Sequence, residues 1–186
     1  MFPVRLAPLP TVLVDIAAWA VFHTATGYAV HRLSLARLQR DTWLLRERRF
    51  EHSGRLYERV RIRAWKDRLP EAGALFAGGI SKRHVQGRDG AALARFAAET
   101  RRAEYGHWLA MACGPLFVLW NPPLVAAAMV GYAVVVNVPF IAIQRYNRER
   151  IGRLLAGRTS KRSIVSGSAP DARLRREDES NGSSIP

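Results

Sequence analysis

Residues 103–143 read AEYGHWLAMACGPLFVLWNPPLVAAAMVGYAVVVNVPFIAI, and all 29 lysines and arginines of the chain lie outside them. A long apolar window stripped of positive charge, with basic stretches on either side, is the pattern that the positive-inside rule leaves on membrane proteins. Asn121-Pro122-Pro123 is a strong turn signal in the middle of the window. The window therefore predicts a helical hairpin, with one arm over residues 105–120 and the other over 124–143. The first arm is short for a full span, so it starts near Ala103, runs tilted or is partly re-entrant. A third apolar run, PTVLVDIAAWAVFHTATGYAV at residues 10–30, has about the 20 residues that a spanning helix needs. Its length, and the lack of a small-x-small cleavage site after it, favour a retained span over a cleaved signal peptide. Asp15 and His23 interrupt it; an acid within a span is unusual, and the position of Asp15 near the outer end allows a plain solvated reading. The fold class is thus all-α and integral to a membrane, with three apolar helices.

Working outward, the net charge is +14. Such a charge fits either nucleic acid or an anionic membrane surface, and the apolar runs decide for the lipid bilayer and against nucleic acid. Arg5 alone precedes the first run, 18 positive charges lie between residues 31 and 102, none lies in the hairpin and 10 follow it. That asymmetry predicts a multi-pass membrane protein, with the N-terminus outside and the basic middle and C-terminus in the cytoplasm. Within the middle, Leu35, Leu38, Trp43 and Leu45 suggest helix over Leu33–Phe50. The Leu69-Pro70 step predicts a break, Gly73, Gly78 and Gly79 a loop, and Ala91–Arg102 a helix that runs into the hairpin. Residues 144–157 are basic and amphipathic. Residues 1–157 then form one membrane-embedded domain, and the Ser-, Gly- and charge-rich residues 158–186 a disordered tail. Cys113 is the single cysteine, so neither a disulfide framework nor a CxxC metal pair is possible.

The hairpin brings specific polar groups to one depth. His107 lies 15 residues before Pro122 and Asn137 lies 15 after it, so at about 1.5 Å rise per residue they sit level, near the cytoplasmic side. Glu104 shares a helix face with His107. Pro139 deletes a backbone hydrogen bond inside the third helix, and the carbonyl it frees must be satisfied within protein or a wet cavity. Arg145, Asn147 and Arg148 follow at the interface, and Glu99 and Arg102 lie five and two residues before Glu104. Trp108 and Trp120 bracket the second helix as belt residues would. There is no GxSxG, P-loop, GxGxxG or HExxH motif. Glu104-x-x-His107 has the spacing of a di-iron half-site, but no second copy exists, so no metal is expected.

Three stretches together resemble a known family. They are FEHSGRLYERVRIRAWKDRLPEAG at Phe50–Gly73, ETRRAEYGHW at Glu99–Trp108 and NVPFIAIQRYNRER at Asn137–Arg150. Over roughly Leu45 to Leu155 the chain resembles the glycosyl-4,4'-diaponeurosporenoate acyltransferases, small membrane enzymes of staphyloxanthin-type carotenoid synthesis. The resemblance implies transfer of a fatty acyl group from an activated thioester, acyl-CoA as co-substrate rather than a bound cofactor, onto a sugar hydroxyl of a glycosylated carotenoid acid. It supplies no catalytic residues; the matching positions include Trp65, Lys66, Glu99, Arg102, Glu104, His107, Asn137, Arg145, Asn147 and Arg148.

A protonated sugar hydroxyl is a poor nucleophile, and a base that takes its proton during attack on the thioester lowers the barrier. His107 is the expected base, because a histidine ordinarily titrates near neutrality. Glu104 or Glu99 is expected to orient the imidazole, Asn137 to bind the acceptor sugar, and Arg145 and Arg148 to hold carrier phosphates. Arg102, Asn147, Trp65 and Lys66 complete the expected substrate-binding set. Two other readings stand beside this one: a non-catalytic membrane protein docking lipid head groups or a partner, and a transferase acting on another glycolipid.

Overall fold

The computed structural model describes residues 7–51, 54–69 and 90–167. Arg5, His52, His84, the break at Pro70, the glycine loop at Gly73, Gly78 and Gly79, and residues 168–186 of the expected tail lie outside the described residues. Among those described, every regular element is helical. The chain divides into two units, Met1–Ile151 and Gly152–Pro186.

Helix α1 runs Pro8–His31. Its prolines sit in the first turn, where no intrahelical donor is lost. Thr11, Thr24 and Thr26 turn their hydroxyls onto the carbonyls four residues back at 3.0, 2.8 and 2.7 Å, which satisfies them without solvent. Leu9, Val12, Leu13, Ile16 and Val21 point outward. α1 is long and apolar enough to cross a membrane, and so is the third long helix. Asp15 is the correction on α1. It is buried rather than solvated, and its Oδ1 accepts from Trp120 Nε1 at 2.7 Å and Asn121 Nδ2 at 2.8 Å. The carboxylate thus ties α1 to the hairpin turn.

Between α1 and the hairpin the chain makes short elements. A 3₁₀ turn at Leu35–Gln39 and another at Arg49–Glu51 replace the helix expected over Leu33–Phe50. Helices α2 (Arg55–Arg59) and α3 (Ile62–Trp65) follow. The apolar residues of 35–45 are at near-helical spacing, but their carbonyls serve other partners. Arginine side chains take those of Leu38, Trp43, Leu44 and Leu45, so tertiary hydrogen bonds override local propensity. Gly54 enters α2 at φ 87°, a left-handed conformation that glycine adopts without the Cβ clash.

The hairpin is α4, Gly90–Ala112, then a 3₁₀ stretch at Gly114–Leu119, then α5, Pro123–Gly167. The expected arm at 105–120 is therefore only half α-helical, since Pro115 tightens its second half. The returning helix runs well past residue 143, so residues 158–167 are helical. Phe117 is fully buried. Its ring lies 4.8 Å from that of Trp19, 5.8 Å from Phe22 and 5.0 Å from Trp120, an aromatic plug that seats the turn on α1. At the C-terminal end of the apolar run of the returning helix a small core of Tyr57, Ile62, Ile143 and Tyr146 packs α2 and α3 on α5.

At Gly114 the returning helix packs close against the 3₁₀ stretch. A Cβ there would sit 3.0 Å from the Ala133 Cβ and 3.4 Å from the Val130 Cα, and Ala133 is itself fully buried. Gly114→Val should force the two apart and cost about 1–3 kcal/mol of stability. A fall in the thermal midpoint of the detergent-solubilised protein measures this, and an unchanged midpoint would contradict the close approach.

Candidate functional site

The polar residues at the base of the hairpin form two connected groups. The first is a buried ion network. Glu104 on α4 is fully buried. Its Oε1 accepts from Arg145 Nε at 2.7 Å and its Oε2 from Arg148 Nη1 at 2.7 Å, so two arginines a turn apart on α5 straddle one carboxylate. Trp108 Nε1, a turn further along α4, donates to Oε1 at 3.2 Å. Arg145 also pairs with buried Glu51 and donates to the Leu44 carbonyl at 2.7 Å. Arg148 donates to the Leu45 carbonyl at 2.7 Å, and Asp41 lies 3.7 Å from its Nε. Arg101 reaches the same loop from α4, with Asp41 at 2.7 Å. One network therefore stitches the 35–51 segment across α4 and α5. Burial and the adjacent Glu51 carboxylate push the Tyr57 hydroxyl well above its ordinary range, so it stays a neutral member of this shell.

The second group is the imidazole. His107 Nδ1 lies 3.0 Å from Asn137 Oδ1, across the hairpin. The Asn137 amide nitrogen donates to the Ala133 carbonyl at 2.9 Å, so its oxygen is the end that faces the ring and must accept. That fixes the proton on Nδ1 and makes Nε2 the basic nitrogen of the neutral ring. Phe140 stacks on the imidazole at 4.8 Å with the planes 7° apart, holding its tilt. Pro139 sits between Asn137 and this stack, inside α5.

The equal spacing of His107 and Asn137 about Pro122 does bring them together. Asn137 occupies the orienting position against Nδ1 that the sequence reading gave to Glu104 or Glu99, while Glu104 holds arginines. Glu99 pairs with Arg102 at 3.1 Å. Arg102 also donates to the carbonyls of Val30, His31 and Leu33 at 2.8, 2.7 and 2.9 Å, which closes the C-terminal end of α1. Trp65 donates to the Val60 carbonyl at 3.1 Å and packs on the Tyr57 core. Lys66 pairs with Asp67 at 2.6 Å, and Asn147 is half-buried on α5. Trp108 and Trp120, expected as belt anchors, instead give their N–H groups to buried carboxylates. Sequence reasoning missed Glu51 and Asp41. Glu51 stands in the FEHSG stretch, and the only signal was an acid among many arginines.

Residues 41–157 match the family model described as glycosyl-4,4'-diaponeurosporenoate acyltransferase. Curated relatives of that name from Staphylococcus aureus strains RF122 / ET3-1 and USA300 are each 32% identical to this chain over 108 residues. The one from strain MRSA252 is 31% identical over 108 residues. Each alignment covers 57% of this chain and 64% of the relative, so the match spans less than two thirds of the relatives' length. No solved structure matches the chain. The matched span contains the hairpin turn with α4 and α5 as far as residue 157, the ion network and the His107–Asn137 pair, and the chain belongs to the glycosyl-4,4'-diaponeurosporenoate acyltransferase family.

Proposed function

We propose that this chain is a membrane-embedded acyltransferase that moves a fatty acyl group from an acyl thioester to a sugar hydroxyl of a glycosylated carotenoid acid. The observation that carries the reading is an imidazole fixed by Asn137 in the Nδ1–H form, within the span that matches the family. The acceptor hydroxyl oxygen attacks the thioester carbonyl carbon while Nε2 of His107 takes its proton. The C–O bond forms and the C–S bond breaks as the tetrahedral intermediate collapses. The imidazolium then returns the proton to the departing thiolate, which leaves as thiol. Asn137 acts as a positioning residue, much as an asparagine does behind the histidine of some cysteine proteases.

Under the same proposal α1, α4 with its 3₁₀ turn, and α5 traverse a bacterial cell membrane, with the N-terminus outside and the basic middle and C-terminus in the cytoplasm. His107 then lies near the inner boundary, where a water-borne thioester and a lipid-dissolved acceptor can both arrive. Glu104, Arg145 and Arg148 act there as a buried brace, since their polar atoms are spent on one another and on the 35–51 segment.

Extracts of cells that make the glycosylated carotenoid acid test the substrate class. With this chain expressed, mass spectrometry should find the sugar ester carrying one more acyl group. Extracts identical with and without the chain, when it is present in the membrane, would refute the acceptor.

A further inference from the structure

The acyltransferase reading needs a place for the donor, and the ion network is not that place, because Arg145 and Arg148 are buried among carboxylates and carbonyls. A cavity of about 300 Å³ opens beside it, lined by Arg63, Lys66, Asp67, Tyr146 and Arg150. Three of its five lining residues are cationic and one is anionic. Arg63 is held in place by its Nε, which donates to the Tyr146 hydroxyl at 2.8 Å, and by Glu58 at 3.1 Å. Tyr146 is itself buried, so the guanidinium is anchored on the protein core although most of it is in solvent. Lys66 is largely covered, while its partner Asp67 is 75% exposed. An ion pair with so exposed a partner contributes little, and its ammonium can be taken by a stronger anion. Arg150 is exposed on α5.

We propose that this cavity binds the phosphates of a coenzyme A thioester. Two guanidiniums and an ammonium around one cavity suit a multiply charged phosphate group, with forked donors from arginine and a point charge from lysine. Distance selects the carrier. Arg150 lies 13 residues along α5 from Asn137, which is about 20 Å of helix. The donor must therefore hold its phosphates far from its reactive carbonyl. Coenzyme A does so, because its pantetheine arm separates the two. A phospholipid does not, because only its glycerol lies between phosphate and ester.

The proposal rests on the transferase reading but is tested without turnover. The full chain in nanodiscs of zwitterionic lipid is titrated with coenzyme A, dephospho-coenzyme A and pantetheine. Affinity should fall in that order, with pantetheine not bound. Arg150→Glu should weaken coenzyme A binding roughly tenfold or more, and Arg150→Gln should shift it the same way by less. Arg95→Glu, an exposed charge on α4, should leave it unchanged, which separates a site from general attraction by a basic protein. Loss of binding in Arg150→Glu with the thermal midpoint kept supports the site even if no acyl transfer is ever detected, and in that case only the transferase reading fails. Equal affinity in wild type and Arg150→Glu would overturn the proposal. So would a wild-type site that retains anionic phospholipid through purification and ignores coenzyme A.

Discussion

Glu104→Ala should abolish most of the folded protein. The carboxylate is fully buried and holds two arginines and Trp108. Breaking a buried ion pair by removing one partner costs about 3–5 kcal/mol, because the other charge is left without compensation in a poor solvent for it. Here two guanidiniums lose their shared acceptor, and Glu51 and Asp41 remain to neutralise them only from the side of the 35–51 segment. A loss of that size is comparable to the whole stability of many domains. Glu104→Gln, which keeps the shape and one acceptor oxygen, should be intermediate. Size-exclusion profiles and thermal midpoints in detergent measure both. If Glu104→Ala were as stable as wild type, the network would not be the brace described, and a chemical role for Glu104 would return to consideration.

His107→Ala should do the reverse, keeping the fold and losing the chemistry. The ring is half-buried, and its removal forfeits the Asn137 hydrogen bond and the Phe140 stack, together about 1–2 kcal/mol. Loss of the general base should lower kcat by about 10²–10⁴-fold. Asn137→Ala, which leaves the imidazole in place but unoriented, should lower kcat by about 10² or less, as displaced catalytic groups do. Both variants should reach the membrane in wild-type amounts. Full activity in His107→Ala would remove His107 from the mechanism, and a collapse of expression would make it structural instead.

The sequence carried the hairpin because composition carries it: an apolar window free of lysine and arginine, with Asn-Pro-Pro at its centre, admits few other folds. It also carried the meeting of His107 with Asn137, since two helices of equal rise about one turn place equidistant residues at one depth. Other features depended on tertiary partners that no local pattern announces. Residues 33–50 have helical spacing, yet arginines from α4 and α5 claim their carbonyls. Asp15 near a helix end invites a solvated reading, and only the packing of Trp120 and Asn121 shows it to be an acceptor. Arg145 and Arg148, four and seven residues from Ile141, read as interfacial cations, and their burial depends on Glu51, some ninety residues away. The phosphate role expected of them passes, under the proposal above, to Arg63, Lys66 and Arg150.

The most direct test uses the purified full chain alone in a bilayer, supplied with an acyl thioester and a glycosylated carotenoid acid. Mass spectrometry should show the acyl group on a sugar hydroxyl, with one free thiol released per ester formed and almost none of either with His107→Ala. A folded, bilayer-inserted wild-type chain that produced neither ester nor thiol would contradict acyl transfer by this protein.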